Sequence, residues 1–105
     1  MAISQIKMRV QFGAGNIKNI KVFDKEGLLI IRLDVHGLKV YEARIAIQNT
    51  IALLLGLSFQ LEIIHGYSHG DDICSMIHAE QISKRITERH RGQKNPGISY
   101  LQVAA

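Results

Sequence analysis

Apolar positions along the chain follow two different periods. Leu28–Val35 opens with four apolar residues in a row, Leu28 to Ile31, and then alternates. A continuous run needs cover on both faces, whereas alternation belongs to a strand with one buried face. In the alternating part Ile31, Leu33 and Val35 point one way and Arg32, Asp34 and His36 the other. From about Lys39 or Val40 to Leu55 the period lengthens. Val40, Ala43, Ile47, Thr50, Ile51 and Leu54 recur three and four apart, which predicts a helix with a wide apolar stripe. Glu42 suits the positive end of that helix and Gly56 its C′ position. Phe59–His65 returns to a strand pattern, with Leu61, Ile63 and His65 on one parity and Gln60, Glu62 and Ile64 on the other. Strand, helix and strand in this order make a parallel pair with a crossover. Both strands run into His-Gly, His36-Gly37 and His65-Gly66. Both pairs are therefore expected at the carboxyl edge of one sheet, where open α/β sheets tend to bind ligands.

The flanks complete the plan. Ile6, Met8, Val10 and Phe12 alternate with Lys7, Arg9 and Gln11, which predicts a half-buried N-terminal strand. Gly13-Ala14-Gly15-Asn16 breaks it. Ile20–Phe23 and Leu28–Val35 flank Asp24-Lys25-Glu26-Gly27, which fits a hairpin with a type I turn; a short helix over residues 16–23 is the alternative. After residues 65–72, Ile73, Met76 and Ile77 mark a second helix over about Asp72–Gln81, capped by Asp71 or Asp72. Residues 82–90 read as a solvated edge strand, residues 91–97 as a hairpin loop, and Ile98–Val103 as a final alternating strand. The expected architecture is α/β, a two-layer α+β sandwich. A mixed four-stranded sheet in the order β-α-β-α-β-β carries two helices, with an N-terminal strand or hairpin added. The corresponding division is an N-terminal β extension over residues 1–27 and a core domain over residues 28–105.

Composition changes this picture little. At 105 residues, 47% of them hydrophobic and 21% charged, the chain has the size and balance of one globular domain. Its longest uncharged apolar stretch, Ile45–Leu61, contains Gln48, Asn49, Thr50, Ser58 and Gln60, so no membrane span is expected. The first residues lack the layout of a signal peptide, and Cys74 is the single cysteine, which together point to a cytoplasmic protein without disulfides. Cys74 itself reads as a small core residue. A net charge of +4 leans mildly toward phosphate-bearing partners.

Candidate chemistry gathers at the carboxyl edge. Asp34 and His36, two residues apart on one strand face, can supply a base and the carboxylate that orients it. The plainer alternative has His36 ending the strand and Asp34 paired with Arg32. Gly66-Tyr67-Ser68-His69-Gly70 ahead of a helix is suited to seat a phosphate on backbone N–H groups, or is simply a strand-to-helix turn. Tyr67 could stack on a base or cover the sheet edge. Lys84, Arg85, Arg89, Arg91 and Lys94, against Glu88 alone, could track a phosphate backbone or serve as the charges of an edge strand. The phosphate reading gains weight only if that surface adjoins the two His-Gly pairs.

LDVHG, residues 33–37, and HGYSHG, residues 65–70, resemble the two signature motifs of the Smr (small MutS-related) domain family. Glu42-Ala43 matches the start of that family's intervening helix, and the likeness covers residues 28–103. It implies a fold similar to the C-terminal domain of translation initiation factor three. It also implies endonuclease activity on RNA or DNA, or a non-catalytic nucleic-acid- or ribosome-binding role. The catalytic set implied is Asp34, His36 and His65. The implied phosphate or nucleic-acid contacts are Gly37, Lys39, Gly66, Tyr67, Ser68, His69, Gly70, Arg85 and Arg89. Two departures stand out. Ser68 replaces the middle glycine of the family's turn, and the basic residue often found early in the following helix is absent, with Asp71-Asp72 standing nearby and opposing a bound phosphate. His65 shares the parity of Leu61 and Ile63, which predicts that it faces the helix layer and holds the loop. Asp34, His36, His65, His69, Asp71 and Asp72 crowd one edge without compact ligand spacing. No cofactor is required, and a loosely bound Mg²⁺ or Mn²⁺ is compatible with them. No ATPase motif or clamp region is present. The expected partners are nucleic acid or the ribosome, with the chain a monomer or weak dimer; a protein-interaction domain that kept only the fold is the remaining class.

Overall fold

The structure, a computed structural model, describes residues 2–15, 17, 19–66 and 71–105. Its centre is the expected crossover. Strand β2 (Leu28–Asp34) leads through helix α2 (Val40–Leu53) to β3 (Phe59–Ile64), which pairs parallel with β2, Leu33 opposite Ile63. The buried parity is the one the alternation predicts: Ile31, Leu33, Leu61 and Ile63 are fully buried against Ala43, Ile47 and Ile51 of α2. Lys39 begins α2, its N–H donating to Glu42 Oε1 at 3.0 Å. Helix α3 (Asp71–Ala79) buries Ile73, Met76 and Ile77. Strands β4 (Ile86–Arg91) and β5 (Ile98–Val103) close the fold as an antiparallel hairpin, with β5 inserted between β3 and β4.

The protein is thus an α+β two-layer sandwich, with five strands rather than four. The order is β1-β2-β3-β5-β4, because β1 (Asn19–Lys25) pairs antiparallel with β2 and joins the same sheet. The hairpin is present and the alternative helix over residues 16–23 is not: β1 occupies residues 19–25. Its turn is not type I. Lys25 pairs with Leu28, leaving two central residues, Glu26 and Gly27, at φ 54° and 84°. Positive φ at both positions is the signature of a type I′ turn, whose twist matches the strands it joins. Asp24 Oδ1 accepts the Gly27 N–H at 2.9 Å, which is why an aspartate precedes this turn.

The larger correction is at the N-terminus, where the expected strand is helix α1 (Ile3–Gly13). Ile6 and Val10 belong equally to a two-residue and to a four-residue spacing. What separates the two periods is Met8 and Phe12, which a strand would bury and which are 60% and 82% exposed. Ile6, Val10 and Ala14, spaced by four, instead form one buried stripe that joins Ile20, Leu33 and Ile51 in a common core. The described part of segment 1–27 is therefore a helix followed by β1, not a purely β extension. The edge strand is also shorter than residues 82–90: Ile82 is buried ahead of a turn, and pairing starts at Ile86.

All three helices pack on one face of the sheet. The opposite face carries Arg32, Asp34, Gln60, Glu62, Tyr100 and Gln102. Among the described residues no helix is long and apolar enough to cross a membrane.

Candidate functional site

The carboxyl ends of β2 and β3 bring the two His-Gly pairs together. Val35 N–H donates to Ile64 O at 3.0 Å, carrying the pairing one step past the strands. Gly37 and Gly66 both lie in the left-handed region, at φ 80° and 84°, where a side chain would be strained. Each glycine lets the chain leave the sheet directly after its histidine. A Cβ placed on Gly66 would sit 3.7 Å from His36 Cβ, so the two motifs are in contact.

Asp34 and His36 form a hydrogen-bonded pair on the face away from the helices. Asp34 Oδ1 accepts the His36 backbone N–H at 3.2 Å and lies 2.5 Å from Nδ1. The side chains are 19% and 50% exposed respectively, so the carboxylate is shielded while the imidazole reaches solvent. A carboxylate on Nδ1 holds the proton there and leaves the lone pair on Nε2, which is the arrangement of an oriented base. Arg32 does not pair with Asp34. Its guanidinium meets Glu62 Oε1 at 2.8 Å and lies over the Phe23 ring, 5.4 Å from its centroid. The register makes this choice, since Arg32 and Glu62 are opposite each other across β2 and β3.

His65 lies apart from this pair, on the helix side of the sheet and 1% exposed. Its Nδ1 is 2.9 Å from Gly66 O, and a carbonyl can only accept, so Nδ1 carries the proton. Nε2 then accepts from the Ser99 hydroxyl at 2.9 Å, and His78 Nε2 donates to the same oxygen at 2.8 Å. Burial lowers the His78 pKa below the ordinary histidine value, and His65, Arg91, Arg89 and His90 push it further the same way. This chain of three side chains joins β3, β5 and α3 beneath the candidate site. His65 acts in it as a holding group, as its parity implies, rather than beside the Asp34–His36 pair as a catalytic one. Sequence reasoning did not single out Ser99 or His78. The available signal was Ser99 itself, a polar residue on the buried parity of Leu101 and Val103.

The expected phosphate contacts divide. Gly37 and the exposed Lys39 stand at the site, Lys39 at the N-terminal end of α2. The Gly66 N–H is spent internally, donating to Gly97 O at 3.0 Å beside the His65 N–H at 2.9 Å. Tyr67, Ser68, His69 and Gly70 lie outside the described residues. Arg85 is at the opposite edge of the sheet. Its guanidinium donates to Ile51 O, Leu54 O and Leu57 O at the end of α2, and to Ala104 O, so it closes a helix end instead of meeting a phosphate. Arg89 does the same for α3, donating to Ile77 O and Glu80 O at 3.3 and 2.7 Å. Arg91 and Lys94, from the same basic stretch, do approach the carboxyl edge, because the β4–β5 turn meets Gly66 through Gly97. Among the described residues no group of three or more His, Cys, Asp or Glu side chains is placed to hold a metal ion.

Comparison with family models, with curated proteins and with solved structures finds no match to this chain.

Proposed function

We propose that this protein is an Smr-type endonuclease that cleaves phosphodiester bonds of RNA or DNA at the carboxyl edge of β2 and β3. The observation that carries the reading is the Asp34–His36 hydrogen bond, 2.5 Å long, on an open sheet face against the second His-Gly motif. His36 Nε2 takes the proton of the hydroxyl or water that bonds to phosphorus, the P–O bond to the leaving oxygen breaks, that oxygen takes its proton from the imidazolium or from solvent, and Asp34 holds the imidazole in place. Such acid–base assistance contributes about 10²–10⁴-fold to rate. Lys39 and the N-terminal end of α2 supply positive potential for the phosphate. A loosely bound Mg²⁺ or Mn²⁺ could assist at the same edge. The chain works in the cytoplasm as a monomer or weak dimer.

A second reading has a specific observation in its favour. Helix α3 begins at Asp71, and the sequence Asp71-Asp72 brings two negative charges to that helix start, which opposes a bound phosphate. This supports a module that binds nucleic acid or the ribosome without cutting. The deciding experiment is a gel assay on labelled single- and double-stranded RNA and DNA, with and without chelator, for the natural chain and His36→Ala. The endonuclease reading expects scission that His36→Ala abolishes, with the melting temperature nearly unchanged because His36 is exposed. Cleavage that persists in the variant overturns it, and salt-sensitive binding without scission selects the binding module.

A further inference from the structure

We propose that a groove on the open sheet face, beside the Asp34–His36 pair, holds one nucleobase of a single-stranded nucleic acid whose backbone meets that pair. This rests on reading the pair as a nucleic-acid site. Strand register lays out the open face in rows. Lys21, Arg32, Glu62, Tyr100 and His90 stand side by side across β1, β2, β3, β5 and β4. The next row toward the carboxyl ends of β2 and β3 holds Asp34, Ile64 and Ile98. A groove of about 550 Å³ is cut into this face, within the roughly 300–1,000 Å³ of small-ligand sites. Ile30, Arg32, Gln60, Glu62, Ile98 and Tyr100 line it. Ile30 is only 3% exposed although no helix covers this face, and it makes the floor.

The side chains suit a base, which is a flat ring with N–H donors and acceptor atoms along its edge. Ile30 supplies an apolar floor and Tyr100 an aromatic ring. Arg32 adds a guanidinium plane, held over the Phe23 ring at 5.4 Å from its centroid. For the edge, Arg32 brings Nε and Nη2 to one oxygen of Glu62, Oε1, both at 2.8 Å. Oε2 is then the carboxylate atom that an incoming N–H meets, and the Gln60 amide offers a donor and an acceptor one row away. A single strand can turn a base out to such a surface, whereas in a duplex its edge is already paired. Placement fits as well. Arg32 and Asp34 follow each other on one face of β2, about 6.7 Å apart at the usual strand rise. That is about two steps of a nucleic-acid strand at about 3.4 Å each, so the base belongs beside the phosphate at Asp34–His36.

Other occupants fit less well. A bare phosphate would meet the Glu62 carboxylate, and at the hairpin end of the groove Glu26 offsets Lys25. An aliphatic chain would bury Glu62 and Gln60 without partners, a cost that the edge of a base avoids. The ribose of the same strand is the remaining candidate, and a strand without bases tests it.

The test is fluorescence anisotropy with a labelled 12-nucleotide single strand and the same sugar-phosphate strand made abasic throughout. It uses full-length His36→Ala protein, so that binding is read without cleavage, over a series of salt concentrations. We expect the strand with bases to bind about tenfold more tightly than the abasic one. Tyr100→Leu should remove most of that difference with the salt slope unchanged, because no phosphate contact is lost. Tyr100→Phe, which keeps the ring, should restore it. Gln60→Ala leaves the Arg32–Glu62 pair in place and should weaken the strand with bases several-fold, the abasic strand not at all. Equal affinity for the two strands overturns the base site and leaves the endonuclease reading to its own gel assay. Equal losses in Tyr100→Phe and Tyr100→Leu overturn the stacking role of the ring. Base-dependent binding by a chain that never cuts supports the groove and removes the endonuclease, and no binding to either strand overturns the groove.

Discussion

Asp34 and His36 meet because strand geometry puts residues two apart on one face, and because Gly37 releases the chain immediately after the histidine. Asp34→Asn keeps the shape and removes the charge that favours the imidazolium. We expect it to lower the cleavage rate about 10²-fold or more with little change in melting temperature, measured as kcat on a labelled oligonucleotide. His78 makes a separate prediction at the same scale. Its pKa is held below the ordinary value by burial and by electrostatic interaction with His65, Arg91, Arg89 and His90. A histidine with a depressed folded-state pKa stabilises fully above its unfolded value of about 6.5 and loses that contribution as pH falls toward the folded value. The melting temperature should therefore drop as pH is lowered from about 7.5 through about 6. His78→Gln, which keeps a donor but cannot titrate, should flatten that drop. Asp34 and His36 were legible from parity alone. The Ser99 bridge was not, because it joins residues 34 and 21 positions apart whose meeting depends on how β5 inserts beside β3.

Among the elements, α1 and α2 make the most direct tests. If α1 is a helix with Ile6 and Val10 inward, Ile6→Ala should cost about 2–5 kcal/mol in urea unfolding. Phe12→Ser, which a strand would resent, should stay within about 0.5 kcal/mol. The pattern at Ile6, Met8, Val10 and Phe12 satisfied a period of two, and only packing against α2 and β1 selects the period of 3.6. The end of α2 depends on Arg85, whose planar fork reaches Ile51 O, Leu54 O and Leu57 O at 2.6, 3.1 and 2.7 Å. Lysine cannot span those acceptors at once. Arg85→Lys should cost about 1–3 kcal/mol of stability while leaving nucleic-acid affinity and its salt slope unchanged. In sequence Arg85 looks like any member of a basic stretch. Its role is decided by carbonyls 28 and more positions away.

At the scale of the whole molecule, the three helices cover one sheet face and leave the other for Arg32, Asp34, Glu62 and Tyr100. Ser99 is where the layers are tied, since removing its hydroxyl would take that partner from the buried His65 Nε2 and from the partly exposed His78. Ser99→Ala should destabilise the fold by about 1–3 kcal/mol, read as a lower urea midpoint at unchanged slope. The sequence by itself offered the first hairpin beside a helical alternative, and it determined the crossover β2-α2-β3, the buried and open parities and the final strand. Each of these is fixed by the local period of apolar residues, which a strand or helix must bury on one side. It also determined that Asp34 and His36 share a face. Tertiary structure decided the rest. It chose helix for the first residues, because a spacing of four is common to both periods and only a neighbouring surface can tell them apart. It paired Arg32 with Glu62 rather than Asp34, because register across parallel strands is not written in either strand alone. It sent Arg85 and Arg89 to helix ends and brought Arg91 and Lys94 toward the site, because a long cationic side chain takes its partner from whatever the fold puts within reach.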